Sequence, residues 1–202
     1  GRNLTAGALD VMGQYYSVAS SSHAFYNYGG LVYTGNDEKA LFDNMWQKCY
    51  AVIACCNTII EKCDENKAGL SPVWRGSIKG EALALRAMLH FDMLRLFGPL
   101  TSELDKESIP YQTNSDQTVT PLLSGSEVVG LILDDLKNAV GLLKDTDPYF
   151  VEEEFSDTDL NYRRFRMNYF AAKGLMARVQ LWGGDKAVSY THLRAHETPE
   201  HL

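Results

Sequence analysis

The sequence has no cluster of basic residues, no long apolar run and no cysteine knuckle, and each absence removes a class of function. Its 19 Lys and Arg stand against 26 Asp and Glu, for a formal charge of −7 and a pI near 5.2. A nucleic-acid backbone or an anionic membrane surface as main partner would call for clustered Lys and Arg instead. A bilayer span needs about twenty consecutive apolar residues, and none exists here. Gly1-Arg2-Asn3-Leu4 offers neither a signal-peptide core nor a lipid-attachment cysteine. With no initiating methionine, the chain is expected to begin inside a longer protein. No Gly-x-Ser-x-Gly, P-loop or dinucleotide fingerprint occurs, so the expectation is a protein that is not an enzyme and needs no cofactor.

Metal motifs are equally poor. The four cysteines, Cys49, Cys55, Cys56 and Cys63, fall in one predicted helix without a Cys-x-x-Cys pair. Cys49, Cys56 and Cys63 recur every seven residues and share a face, which favours core packing over a disulfide or a zinc site. His196-Glu197 precedes His201, one residue too late for His-Glu-x-x-His and with Pro199 between them. Asp157-x-Asp159-x-Asn161 opens like a calcium loop, but Tyr162 stands where glycine is needed and Asn168 where the closing Glu belongs. Glu152-Glu153-Glu154 reads as a solvated face. No metal is expected.

What is present is helical periodicity. With 202 residues, 45% of them hydrophobic, the chain can bury the core of one domain or a large part of one. A short helix is expected over 4–17, with Leu4, Ala8, Val11, Met12 and Tyr15 on one side. A helix over 38–65 follows, burying Leu41, Met45, Cys49, Val52, Cys56, Ile59 and Ile60. Ser71-Pro72 caps the next, which runs to Phe97 and is apolar around most of its circumference, so other helices must wrap it. Gly98 is suited to a left-handed residue after a helix, and Pro99 cannot continue one. Ser124-x-x-Glu127 has capping-box spacing and opens a helix to about 144. Another is expected over 162–182, closed by Gly183-Gly184. The stretches 17–37, 98–120 and 145–159 read as long loops, the second of them extended and exposed. Helices 38–66 with 72–97, and 124–144 with 162–182, pair as hairpins. The fold class implied is all-α, a tetratricopeptide-like stack of antiparallel helical hairpins with long aromatic and acidic loops.

Four ordered blocks carry a family resemblance. Gly80-Glu-Ala-Leu-Ala-Leu-Arg-Ala-Met-Leu-His-Phe-Asp-Met-Leu-Arg-Leu-Phe-Gly-Pro99 holds Glu81, Ala82, Arg86, Ala87, Phe91, Asp92, Phe97 and Gly98. These match the pattern Glu-Ala-x-x-x-Arg-Ala-x-x-x-Phe-Asp-x-x-x-x-Phe-Gly. Trp46, Tyr50, Ile53 and Asn57 precede it, and Ile132, Asp134, Leu136 and Ala139 follow. Ala171, Ala177, Arg178, Leu181 and Trp182 complete the series. Over about 38–187 the chain resembles the SusD/RagB family, surface lipoproteins of Bacteroidota that take up nutrients. The last residues, Val188 onward, resemble translated sequencing-adapter DNA instead. The domain reading is therefore an N-terminal helical region over 1–187, truncated at both ends, and a non-native tail over 188–202.

The resemblance implies an outer-membrane, surface-exposed lipoprotein that captures an oligosaccharide or peptide, most readily a glycan. It would hand the ligand to a partner, a SusC-like TonB-dependent transporter, and a C-terminal half would complete the ligand site. A tetratricopeptide-type scaffold for protein partners is the alternative. Glu81, Arg86, Asp92 and Arg95 on the buried helix are expected to form ion pairs between stacked helices. Sugars bind on aromatic faces with amides and carboxylates at their hydroxyls. The loop's Phe25, Tyr26, Asn27, Tyr28, Tyr33, Asn36 and Asp37 are the candidate ligand-binding residues, with loop anchoring as the competing role for some of the rings.

Overall fold

The structure, a computed structural model, describes residues 4–116, 118–147, 163 and 165–184. The tail's histidines, the Glu152 run and the Asp157 motif lie outside the described residues. The chain divides into two compact units, 1–50 and 51–202.

In the first unit a π-helical turn, Leu4–Leu9, leads into one turn of α-helix, α1 (Asp10–Met12). The helix expected to reach residue 17 stops here, because Gln14 takes a left-handed φ of 61° just after Gly13. Tyr15, expected on the buried side, is therefore 79% exposed. The loop contains one further turn, α2 (Tyr26–Gly29). Ala8, Val11 and Tyr28 form a small core, with Met12, Val18, Phe25, Leu41 and Phe42 packed against it. Helix α3 (Asn36–Glu65) starts two residues earlier than its apolar pattern suggests, with Asp37 and Glu38 in the first turn, where the helix dipole favours acids.

The second unit contains the end of α3, then α4 (Pro72–Phe97), α5 (Gly125–Thr146) and α6 (Tyr169–Trp182). Each start is fixed by a side-chain cap. Ser71 accepts from Trp74 N at 3.3 Å, Ser124 and Glu127 complete the capping box, and Asn168 accepts from Ala171 N at 2.8 Å. The last cap explains why α6 begins at Tyr169 and not near 162. Pairings between residues fix the directions of the helices. Asp64 meets Lys79 while Asn57 meets Arg86, and Gly76 approaches Thr146 while Arg86 meets Asp135. Both series run in opposite senses, so α3 with α4 and α4 with α5 are antiparallel. The α4–α5 approach is close: a Cβ on Gly80 would lie 2.8 Å from Leu143 Cγ.

Three expectations are corrected. Ile53 and Asn57 join Met45, Cys56, Ile60 and Cys63 among the buried residues of α3, whereas Val52 and Ile59 are exposed. The stretch after α4 forms a two-stranded antiparallel sheet, β1 (Glu107–Pro110) with β2 (Leu122–Ser124), and it buries Ile109 and Tyr111. Gly98 is extended, with φ −85° and ψ 179°, and is small for another reason: a Cβ there would lie 2.5 Å from Leu94 O. None of the four cysteines is in a disulfide; Cys56 and Cys63 are buried, Cys49 half-buried and Cys55 exposed.

Candidate functional site

Polar groups in the second unit are tied together. Arg86 donates from Nε and Nη2 to Asp135 Oδ2 and Oδ1 at 2.7 and 2.6 Å, and from Nη1 to Asn57 Oδ1 at 2.8 Å. Burial alone would lower its pKa, but the Asp135 carboxylate more than compensates and the value is raised. Tyr111 donates to Asp135 Oδ2 at 2.6 Å, and burial with that carboxylate beside it pushes the phenol far above its usual range. His90 stacks on Tyr111 with ring centroids 3.9 Å apart. Its Nε2 accepts from Gln112 N at 3.1 Å and its Nδ1 lies 3.0 Å from Arg86 O, so the proton sits on Nδ1 and the ring is neutral. Burial brings its pKa down to about 4. A second hub joins Glu81 to Arg163 and Arg166, and Asp147 to Arg163 and Tyr169 N. Glu81 and Arg86 thus play the structural part expected of them, while Asp92 and Arg95 pair with each other within α4.

The first unit is different. A recess there of about 340 Å³ lies within the size range of small-molecule sites. Gln14, Tyr16, Ser17 and Val18 line one side, and Tyr26, Asn27, Gly29, Gly30 and Val32 the other. Tyr16 is 64% and Tyr26 42% exposed, leaving aromatic surface for stacking. Gln14 spans the walls by donating from Nε2 to Gly29 O at 3.3 Å, and Asn27 donates from Nδ2 to Glu38 Oε1 at 2.9 Å.

Of the seven loop residues singled out from sequence, Tyr26 and Asn27 line this recess. Tyr28 is 3% exposed and belongs to the small core, where Phe25 packs edge-on against it at 5.9 Å. Tyr33 stands edge-on to Phe42 at 5.4 Å, and Asn36 and Asp37 open α3. None of these five lines the recess. Gln14, Tyr16 and Ser17 were hidden in sequence by the expected helix over 4–17; the adjacent pair Tyr15-Tyr16, one apolar face too many for such a helix, is the signal that could have shown them. Among the described residues, no group of three or more His, Cys, Asp or Glu gathers to hold a metal, and no helix is long and apolar enough to cross a membrane.

A family profile described as "Starch-binding associating with outer membrane", SusD-like, matches residues 8–181. The chain belongs to the SusD-like family. A SusD-like protein of Bacteroides ovatus is 30% identical over 146 residues, 70% of this chain and 23% of that protein. SusD-like protein P38 of Formosa agariphila is 34% identical over 96 residues, 46% of this chain and 17% of the relative. The chain thus spans about a fifth of the length of these relatives. Among solved structures, a SusD-like carbohydrate binding protein from Bacteroides vulgatus superposes with a TM-score of 0.73 at 22% identity, covering 96% of this chain and 40% of that one. A structure with xylogluco-oligosaccharide superposes with a TM-score of 0.65 at 19% identity, over 96% and 37% of the two chains. The fold is the all-α, tetratricopeptide-like one of SusD-like proteins. That family is one of carbohydrate-binding, outer-membrane-associated proteins.

Proposed function

We propose that this SusD-like chain binds oligosaccharide in the Tyr16–Tyr26 recess, and that the whole protein passes it to a SusC-like TonB-dependent transporter at the outer membrane. The observation that carries the site is a pair of exposed tyrosines flanking a recess edged with amides and hydroxyls. Tyrosine faces cover sugar C–H surfaces, and amide and hydroxyl groups meet sugar hydroxyls. The carbohydrate-binding description of the family and the oligosaccharide in a structural neighbour support the ligand class. In this reading Tyr26 and Asn27 contact ligand, while Phe25 and Tyr28 hold the loop that presents them. Tyr33, Asn36 and Asp37 have supporting places at the start of α3.

Titration calorimetry with maltohexaose and a xyloglucan oligosaccharide tests it. The double substitution Tyr16→Ala, Tyr26→Ala removes two stacking faces worth about 1 kcal/mol each, so affinity should fall about tenfold or more with the thermal midpoint unchanged. Unchanged affinity in a folded double variant sinks the site. Transfer is tested separately, by co-purification of the whole protein with a co-expressed SusC-like TonB-dependent transporter.

A further inference from the structure

The hydrogen-bonding inventory of the recess narrows its ligand further than the family does. We infer, resting on the carbohydrate reading above, that the Tyr16–Tyr26 recess takes uncharged glycans and rejects those bearing carboxylates or sulfates.

Anionic sugars are acceptors and need donors, charged ones above all. The recess has no Lys, Arg or His among its lining residues. Its two amide nitrogens are already committed, Gln14 Nε2 to Gly29 O and Asn27 Nδ2 to Glu38 Oε1. Both partners can only accept, so neither amide can be turned round without setting oxygen against oxygen. What remains on each is its carbonyl oxygen, an acceptor, and one uncharged N–H. Five backbone donors are spent as well: the N–H groups of Gln14, Tyr26, Gly29, Gly30 and Val32 bond to Val11, His23, Phe25, Tyr26 and Asn27 carbonyls. No anion-binding nest of free amides is left at these positions.

The hydroxyls of Tyr16, Ser17 and Tyr26 can serve either way, so the recess offers uncharged donors and acceptors but no positive charge. A neutral sugar pairs with both through its own hydroxyls. A uronate or sulfate would meet carbonyl oxygens and, through Asn27, the Glu38 carboxylate, and would lose water without gaining a counter-charge.

The test uses the full chain and a panel of neutral glucose, mannose and galactose hexasaccharides. The best binder is then compared with its derivative in which primary alcohols have been oxidised to carboxylates. The expected result is affinity for the carboxylated form weaker by about tenfold or more, with Ser17→Lys narrowing that gap by supplying a cation. If the carboxylated form binds as tightly, and Tyr16→Ala with Tyr26→Ala abolishes it, the charge inference is overturned while the carbohydrate site stands. A gap that Ser17→Lys leaves unaltered overturns it too, because discrimination then has another origin. Neutral binding indifferent to the tyrosines, or no binding by any sugar, removes the site itself and the inference with it.

Discussion

Asn57, Arg86, Tyr111 and Asp135 of the larger unit spend their polar groups on one another, whereas Tyr16 and Tyr26 of the smaller unit face solvent. In the larger unit one guanidinium, Arg86, holds Asp135, Asn57 and Thr113 O together, and its neighbours His90 and Tyr111 are buried and fully engaged. In the smaller unit three apolar residues are buried as a core, while Tyr15, Tyr16 and Tyr26 are exposed. Groups already satisfied by the fold have nothing left to offer a ligand. Groups held at a surface with one hydrogen bond made and one free can offer the second. Glu81 and Arg86 of the family's signature helix therefore maintain the fold, and the proposed recognition site lies in a short irregular stretch ahead of it.

The largest effect should come from breaking the engaged side of this contrast. Arg86→Met leaves the Asp135 carboxylate buried without its counter-charge, and should cost about 3–5 kcal/mol in urea denaturation. A cost below about 1 kcal/mol would mean the hub is not desolvated as its burial indicates.

Acid should come next. His90 has a folded pKa of about 4 against an ordinary 6.5, so between those values the unfolded chain takes up a proton that the folded chain refuses. Stability should therefore fall as pH drops from about 6.5 to 4, by up to about 3 kcal/mol, and level off below. His90→Gln should flatten that segment of the pH profile, and a profile identical to the parent's would rule out His90 as its source.

Glycines on the helices give a smaller and signed test. Gly80→Ala drives a Cβ to 2.8 Å from Leu143 Cγ and should destabilise by about 1–3 kcal/mol. Gly141→Ala, in the same helix layer but with nothing within 4 Å of its Cβ, should instead stabilise by up to about 1 kcal/mol. Thermal midpoints moving in the same direction would show that the α4–α5 approach is not limiting. The smallest effect belongs to the open side: Tyr16→Ala with Tyr26→Ala should change stability by less than about 0.5 kcal/mol while removing glycan binding. A large loss of stability would make the tyrosines part of the fold and erase the contrast.

Much of the larger unit was legible from the chain. Ser71, Ser124 and their proline or glutamate partners marked helix starts that the structure keeps, because capping is settled within a few residues. The buried side of α3 was read less well: Val52 and Ile59 fit an apolar stripe but are exposed, and Asn57, which does not, is buried by the guanidinium that satisfies it. A polar residue can occupy a core only where a partner waits, and that partner lies 29 positions along the chain. Ile109 and Tyr111 were invisible in a polar stretch for the same reason.

The sequence by itself determined the helical class, the helix caps and the family, since these depend on i to i+4 periodicity and on residue types at fixed local spacing. The tertiary structure alone decided which tyrosines are anchors and which are free. Tyr26 and Tyr28 are two apart in an aromatic loop and looked equivalent, yet the single turn of α2 sends one outward and buries the other against Ala8 and Val11. The opposing wall exists because Gln14 turns the backbone left-handed and ends a helix that periodicity would have continued. Side-chain chemistry is written locally, whereas a recess requires two stretches to meet, and where they meet is set by the packing that stops the chain from going on as it began.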